Sequence, residues 1–167
     1  EGPAGVIENA VSAALDSKLV DSGDTVVVLS GMMTGTDRST TNTLKVHVAA
    51  ETLAAGRGVV SGRAVGPIAR APTGDLSGIP EGAILVLEAD FDGEFGGDPA
   101  KLGGIVHGRT GMTGYPAIVA REVGVPMASG IAIDDAVETG TTVTLDGDRG
   151  VVYAGDIRHR GGDRPKQ

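Results

Sequence analysis

The polar segment from Ser30 to Asn42 contains the residue types best suited to binding a charged ligand. It combines hydroxyl side chains and glycines with one guanidinium, and the members that could contact an anion are Gly35, Arg38, Ser39, Thr40, Thr41 and Asn42. Backbone N–H groups, hydroxyls and a guanidinium together form the kind of nest that holds a phosphate. The alternative is a solvated hairpin loop whose Thr and Asn side chains satisfy its own turns. Asp37 favours that alternative because its carboxylate would repel an anion.

A second group that could do chemistry is the carboxylate cluster of Asp90, Asp92 and Glu94. Carboxylate oxygens are the ligands that a hard cation prefers, and the spacing resembles the start of a calcium loop. The glycine and the glutamate that such a loop needs further along are missing. Because the chain is acidic throughout, we interpret the cluster as a solvated loop and predict no metal site.

The glycine-rich stretch from Gly103 to Gly114, together with His107 inside it, is a third candidate. The stretch contains no Gly-Lys-Ser/Thr sequence, so it is not a nucleotide-binding Walker loop. His107 ends a predicted strand, where a histidine is more often a polar cap than a reactive group. We therefore interpret His107 as a polar cap.

One helix and two strands are predicted to position the Ser30–Asn42 segment. Apolar side chains recur at helical spacing from Gly5 to Leu19, which predicts an amphipathic helix. The apolar run from Thr25 to Leu29 is typical of a strand covered on both faces, and alternation from Thr43 to Val48 predicts a second strand. One helix and two strands are too few to bury their own apolar faces. We therefore expect residues 1–54 to be the end of a larger domain.

The rest of the chain has the pattern of a separate domain built from short strands. Composition changes at residues 54–58, which predicts the domain boundary. Turn sequences separate the apolar runs, and one helix is predicted from Pro116 to Val123. Strands are expected at residues 59–60, 64–69, 83–87, 104–107, 141–145 and 150–153. The predicted fold class is α/β: a partial α/β unit at 1–54, a β/β/α domain at 55–157 and a polar tail at 158–167.

Composition restricts the partners and the compartment. The net charge of −8 argues against a nucleic-acid or anionic-membrane partner. The absence of Cys removes disulfides and thiolate sites, and no apolar run is long enough for a membrane span, so we expect a cytoplasmic protein. The acidic residues are 14 Asp and 8 Glu, and only 4 of the 14 basic residues are Lys. This balance favours a halophilic source over an ordinary acidic protein.

Two runs in the first part of the chain carry a family resemblance. Residues 19–31 read Leu-Val-Asp-Ser-Gly-Asp-Thr-Val-Val-Val-Leu-Ser-Gly, and residues 40–46 read Thr-Thr-Asn-Thr-Leu-Lys-Val. The order of helix, Gly-Asp, apolar strand, glycine-rich loop and Thr-Asn strand resembles the end of the C-terminal domain of pyruvate kinases. The resemblance implies that the loop between the two strands helps to bind a phosphorylated effector.

The loop around Tyr115 carries a second resemblance. Residues 111–117 read Gly-Met-Thr-Gly-Tyr-Pro-Ala and continue into the predicted helix. They resemble the phosphohistidine loop, Gly-Gly-x-Thr-Ser-His-Ala-Ala, of the swivelling domain of PEP-utilising enzymes. Residues 61–66, Ser-Gly-Arg-Ala-Val-Gly, resemble the opening of that domain. Tyr115 stands where the resemblance places the phosphoryl-carrying His, and a phenol ester cannot hand a phosphoryl group on as an imidazole does. We therefore expect this degenerate site, with Thr113 and Arg121, to be structural.

Together the resemblances imply the C-terminal portion of a pyruvate kinase, and the composition adds a haloarchaeal source. The parent would transfer a phosphoryl group from phosphoenolpyruvate to ADP, using Mg and K bound in an upstream catalytic barrel. Without that barrel the chain should hold no cofactor, be inactive alone and serve regulation or assembly. The implied partners are the rest of the kinase chain, further copies in a homotetramer and a phosphorylated small-molecule effector. A free-standing regulatory module and a PEP synthase-like phosphotransferase swivelling domain remain as alternatives.

Overall fold

A computed structural model describes residues 3–32 and 41–157 of the chain. The described residues form two compact units, one of residues 3–51 and one of residues 52–157. The residues of the predicted boundary segment at 54–58 lie in or between two strands of the second unit. Neither helix described below is long and apolar enough to cross a membrane.

The first unit contains helix α1 (Pro3–Asp16) and strands β1 (Thr25–Met32) and β2 (Thr41–Val48). The strands pair antiparallel, from Thr25 opposite Val48 to Met32 opposite Thr41. Residues 30–32 and 41–42 therefore extend the ladder into the segment that was predicted to be a loop. Val27 of β1 is 56% exposed among the described residues, so the covering of β1 on both faces stays a prediction.

Helix α1 ends before Leu19, where the apolar pattern placed its end, because the chain becomes left-handed at Lys18. The φ angle of Lys18 is 57°. The N–H of Lys18 donates to the carbonyl of Leu15, and the N–H of Leu19 donates to the carbonyl of Ala14. This pair of hydrogen bonds is the Schellman cap, which satisfies carbonyl groups at the end of a helix.

The second unit is an eight-stranded sheet with one helix and one short 3₁₀ helix. The helix α2 spans Tyr115–Val123 and the 3₁₀ helix spans Pro99–Lys101. The strands are β3 (Thr52–Ala55), β4 (Arg57–Val60), β5 (Arg63–Arg70), β6 (Ile84–Leu87), β7 (Gly104–His107), β8 (Met127–Ser129), β9 (Thr142–Asp146) and β10 (Val151–Ala154). Their order across the sheet is β3-β10-β9-β5-β6-β7-β8-β4. The predicted fold class, a partial α/β unit followed by a domain of strands and one helix, is confirmed.

Strands β5, β6, β7 and β8 run parallel to one another, and the remaining pairs are antiparallel. Each strand predicted for this unit is present, with bounds shifted by no more than two residues. Strands β3 and β8 were not predicted. Each is so short that its sequence shows no clear alternation, and only its ladder partner makes it a strand.

Strand alternation divides the core of this unit between two faces. On one face Leu85, Leu87, Ile105 and Met127 pack with Ala117 and Ala120 of α2. On the other face Ile84, Val86 and Val106 pack with Val143 and Leu145. The residue after Val106 must return to the α2 face, and that residue is His107.

Candidate functional site

A cleft of about 220 Å³ lies where the parallel strands β6 and β7 end. Residues of the loops after β6 and β7 line it, together with the first turn of α2. The side chains that line it include Phe91, Asp92, His107, Arg109, Tyr115 and Met127. The carboxyl ends of parallel strands are where α/β sheets commonly bind ligands, so this cleft is the candidate site.

His107 is the last residue of β7 and is only 7% exposed. Its ring meets the ring of Phe91 edge-on, with the centroids 6.5 Å apart. The Nε2 atom is buried and has no hydrogen-bond partner among the described residues. Because Nε2 has no partner, we assign to Nδ1 the hydrogen bond by which the Glu88 backbone acts on the imidazole.

The surroundings of His107 keep its imidazole neutral. Burial lowers the pKa of His107 below 6.5, the positive charge of Arg109 lowers it further, and the hydrogen bond to the Glu88 backbone opposes both. With Nδ1 donating to that backbone, Nε2 of the neutral ring is an acceptor. An unpaired buried acceptor costs about 1–3 kcal/mol, so a donor that reached Nε2 would be stabilised there.

Ser129 is the cross-strand neighbour of His107 in the ladder between β7 and β8. It is 1% exposed, and its Oγ also has no partner within the described part of the chain. Side chains at paired positions of adjacent strands share a face of the sheet. Two unpaired polar side chains thus lie next to each other at the carboxyl ends of parallel strands. Native proteins leave few buried polar groups unpaired, and those that remain often belong to functional sites.

Arg109 supplies positive charge to the cleft. Its Nε donates to the carbonyl of Ala89 over 2.9 Å, which joins the loop after β7 to the loop after β6. Within residues 3–32 and 41–157 the ion pairs involve other arginines, so no carboxylate pairs with Arg109 there. Its terminal nitrogens can therefore donate to an anion, for which a guanidinium is well suited. Asp92, an exposed residue that also lines the cleft, opposes that charge.

Helix α2 begins at the cleft, with Gly114 as its N-cap residue. Gly114 is extended, with φ −67° and ψ 167°, and no side chain caps the first turn. The first N–H groups of a helix have no acceptor within the helix, and the N-terminus carries a partial positive charge. Residues 114–117 line the cleft, so this end of α2 favours negative charge in it.

Tyr115, the residue at the predicted degenerate phosphohistidine position, lines the same cleft. Its hydroxyl oxygen accepts a hydrogen bond from the backbone N–H of Phe95 over 3.1 Å. The rings of Tyr115 and Phe95 lie 5.4 Å apart, and Phe95 stacks on Phe91 at 5.9 Å. The phenol thus joins the start of α2 to the loop after β6. That Tyr115 has a structural role stays a prediction.

The structure does not bring Thr113 and Arg121, the other two residues of that predicted site, into the cleft. Both are exposed, and neither is among the residues that line it. Arg121 lies in the last turn of α2. A cation there interacts favourably with the negative end of the helix dipole. The residue that joins Tyr115 in the cleft is His107 rather than Arg121.

The predicted effector residues of the first unit are described only in part. Thr41 and Asn42 belong to β2, opposite Met32 and Gly31. Gly35, Arg38, Ser39 and Thr40 lie outside the described residues. The anion nest therefore stays a prediction.

The carboxylates at Asp90, Asp92 and Glu94 are exposed in the loop after β6. No group of three or more His, Asp or Glu in the described part of the chain is arranged to hold a metal ion.

The sequence analysis did not single out three residues that line or support the cleft, which are Arg109, Phe91 and Phe95. A usable signal for Arg109 was its place two residues after His107, in the loop that follows a predicted strand.

Comparison with known families finds a match inside the second unit. Residues 79–150 match the PEP-utilising enzyme, mobile domain. The resemblance seen in the sequence is thereby confirmed. The matched segment runs from the turn before β6 to the turn before β10, so it contains the whole cleft of this mobile-domain region.

Curated relatives extend the similarity into the first unit. The chain is 31% identical over 155 residues to the pyruvate kinase of Sporosarcina psychrophila, which covers 90% of this chain and 26% of the relative. It is 29% identical over 155 residues to the pyruvate kinase of Lactobacillus delbrueckii subsp. bulgaricus, with 91% of this chain and 26% of the relative covered. The chain thus spans about a quarter of the length of these relatives. The predicted similarity to the C-terminal portion of pyruvate kinases is confirmed.

Solved structures show a weaker likeness. Thermococcus kodakaraensis aconitase X (holo-form) aligns with a TM-score of 0.45 and 20% identity, over 62% of this chain and 98% of that chain. The solution structure of a UPF0107 protein aligns with a TM-score of 0.42 and 23% identity, over 61% of this chain and 98% of that chain. TM-scores and sequence identities this low support no functional conclusion.

Proposed function

We propose that this chain is the C-terminal regulatory and assembly segment of a pyruvate kinase. The parent enzyme would convert phosphoenolpyruvate and ADP to pyruvate and ATP in glycolysis, in the cytoplasm. The observation that carries the proposal is the similarity to pyruvate kinases along 90% of the chain, which spans only 26% of such a relative. Mg and K would bind in the remaining part of the enzyme, and this chain alone would be inactive.

The first unit supports a place within a longer polypeptide. Leu19 is 80% exposed and Val27 is 56% exposed, although both belong to the part of the sequence that resembles the kinase domain. Burying a large apolar side chain is worth about 1.5–3 kcal/mol. Further parts of the kinase chain, or further copies in a tetramer, would gain that energy by covering these side chains.

The second unit supports a role in regulation rather than in phosphoryl transfer. Tyr115 would occupy the position of the phosphohistidine, and its hydroxyl oxygen already accepts the N–H of Phe95. A phosphate ester of a phenol is too stable to act as a shuttle. The mobile-domain region would therefore act by binding and by contact with the kinase. A phosphorylated effector would bind at the segment between β1 and β2.

The experiment that tests this proposal is capture of the native polypeptide from its source cells with an antibody raised against this chain. We expect an intact mass well above the 16.7 kDa of this chain, and conversion of phosphoenolpyruvate and ADP by the captured protein. A mass of 16.7 kDa without that activity would indicate a free-standing module instead. Acid-labile phosphate on His107 would instead favour a PEP synthase-like phosphotransferase.

Regulation is tested by deleting residues 52–167 from the parent gene. The deletion should leave kcat largely intact, because the catalytic barrel lies elsewhere in the enzyme. It should lower the thermal stability or change the response to phosphorylated effectors. Complete loss of kcat in a tetramer that is still folded would mean that these residues take part in catalysis.

A further inference from the structure

We propose that the cleft between the β6 loop, the β7 loop and the start of α2 binds a small oxyanion that also carries an O–H group. Arg109 and the N-terminus of α2 would hold the negative charge, and His107 would accept a hydrogen bond from the O–H. Inorganic phosphate, which keeps a P–OH group, and a short 2-hydroxy carboxylate share this chemistry. The site goes beyond the proposed kinase role and does not depend on it, because all its residues lie in the second unit.

The charge around the cleft favours an anion. Arg109 has no carboxylate partner among the described residues, and its Nε is fixed on the carbonyl of Ala89. That bond orients the guanidinium while its terminal nitrogens can still donate to oxygen atoms. The uncapped first turn of α2 adds N–H groups and a partial positive charge on the same cleft. Asp92 is the one carboxylate lining it, and because Asp92 and Arg109 are both exposed, solvent screens both charges.

The ligand needs an O–H group because of His107. Its side chain is more than nine-tenths buried, lines the cleft, and has an Nε2 without a partner. With Nδ1 assigned to the backbone of Glu88, the unpartnered Nε2 of the neutral ring offers a lone pair. An anion with acceptor atoms alone would leave Nε2 unpaired. An anion with an O–H group satisfies Nε2 and Arg109 together.

The volume of the cleft and the residues that line it limit how large the ligand can be. A cleft of about 220 Å³ is smaller than the roughly 300–1,000 Å³ of pockets for drug-sized molecules. Phe91, Met127 and Ala117 supply apolar contacts that a methyl group could make. A molecule of a few carbon atoms therefore fits the site, and a nucleotide does not.

The test is a titration of the full chain at constant ionic strength, followed by the NMR signals of the His107 ring. Sodium phosphate and lactate are the two probes, and propionate is the matched control because it is lactate without its hydroxyl. We expect saturable shifts with phosphate, with lactate or with both, and the stronger of the two identifies the ligand class. Propionate should bind about 3- to 10-fold more weakly than lactate, as expected for the loss of one hydrogen bond.

Two arginine variants distinguish binding in the cleft from a general effect of the net charge. Arg109→Gln should weaken binding by at least about 10-fold, because a hydrogen bond to a charged group is lost. Arg121→Gln makes the same change of charge on an exposed arginine that does not line the cleft, and it should leave binding unchanged. Equal affinities for lactate and propionate would overturn the role of His107. Unsaturable shifts with both probes, or equal weakening by the two arginine variants, would overturn the site itself.

Discussion

The hydroxyl oxygen of Tyr115 accepts a hydrogen bond from the backbone N–H of Phe95 over 3.1 Å, and the two rings lie 5.4 Å apart. This contact joins the first residue of α2 to the loop that follows β6. The residue at the predicted phosphohistidine position is therefore held in place by its own side chain. The aromatic contacts continue from Phe95 to Phe91 and from Phe91 to His107, so Tyr115 and His107 are linked through two phenylalanines.

Removing the hydroxyl of Tyr115 should destabilise the second unit slightly. Tyr115→Phe keeps the ring contact but leaves the N–H of Phe95 without its acceptor, which costs about 0.5–1.5 kcal/mol. Urea unfolding of the full chain should show a lower midpoint with an unchanged slope. Tyr115→Ala should cost more, because the contact with the Phe95 ring is lost as well. A Tyr115→Phe variant as stable as the wild type would mean that water replaces the phenol at Phe95.

The two family resemblances and the strand pattern could be recognised in the sequence because each rests on a local run of residues. Continuous apolar runs predicted β6 and β7. The burial of His107 could not be predicted from the sequence. It depends on the register that sets Ser129 beside His107 and on Phe91, which lies in the loop after another strand.

The contact between Tyr115 and Phe95 could not be predicted either, because 20 residues separate the two partners along the chain. The predicted end of α1 was wrong for a different reason. A lysine in the left-handed region replaces the usual glycine of a Schellman cap, so no residue before Ser22-Gly23 signals the end of the helix. Local patterns thus predicted the elements, whereas the candidate site arises from contacts between loops.

The titration of His107 should make the stability of the chain depend on pH. Burial and Arg109 lower the pKa of His107 in the folded chain, whereas in the unfolded chain it keeps its ordinary value of 6.5. The unfolded state therefore binds more protons below that value, and the unfolding free energy should fall as the pH drops below about 6.5. Above that pH this contribution is constant.

Urea unfolding between about pH 5 and pH 7.5 measures this dependence. Arg109, Asp92 and Tyr115 also line the cleft, so the comparison must remove only the imidazole. His107→Gln should show a weaker loss of stability on acidification than the wild type. Identical pH dependence in both proteins would mean that His107 is protonated equally in the folded and unfolded chains.

A serine at the N-cap of α2 should stabilise the helix. Gly114 has an extended conformation with φ −67°, which any residue can adopt. A Cβ atom at Gly114 would meet only Cδ of Pro116 at 3.8 Å, an ordinary contact. Gly114→Ser should therefore raise the unfolding free energy by a few tenths of a kcal/mol, about the difference between Ser and Gly caps. Thermal unfolding checks this, with Gly114→Ala as the control that has a Cβ but no capping oxygen. A Gly114→Ser variant no more stable than Gly114→Ala would mean that the first turn gains nothing from a cap.

The carboxylate of Asp146 should be among the most important polar groups for stability in the second unit. It is 2% exposed and accepts from the side chain of Arg63 and from the backbone N–H groups of Asp148 and Arg149, over 3.2, 3.0 and 3.1 Å. Asp146→Ala removes all three bonds and should cost about 2–4 kcal/mol.

Two variants distinguish the contribution of the ion pair to stability from the contribution of the turn at Asp146. Asp146→Asn keeps an acceptor for the two backbone N–H groups, so it should cost less than Asp146→Ala. Arg63→Gln should cost less still, since the Arg63 side chain is 33% exposed and water can replace it. Equal losses in Asp146→Asn and Asp146→Ala would show that the ion pair, rather than the turn, carries the stabilisation.

The acidic composition predicts that salt stabilises the fold. The chain has 22 acidic and 14 basic residues, which gives a net charge of −8. Repulsion among these carboxylates is screened over about 10 Å at 0.1 M salt and about 3 Å at 1 M. The Tm should therefore rise steadily as KCl increases from low concentration to about 1 M. A triple variant, Glu81→Gln, Glu122→Gln and Glu138→Gln, removes three exposed charges and should reduce that rise. If salt acted only by strengthening apolar burial, the wild type and the variant would respond alike, and a Tm unaffected by removing salt would contradict the halophilic interpretation.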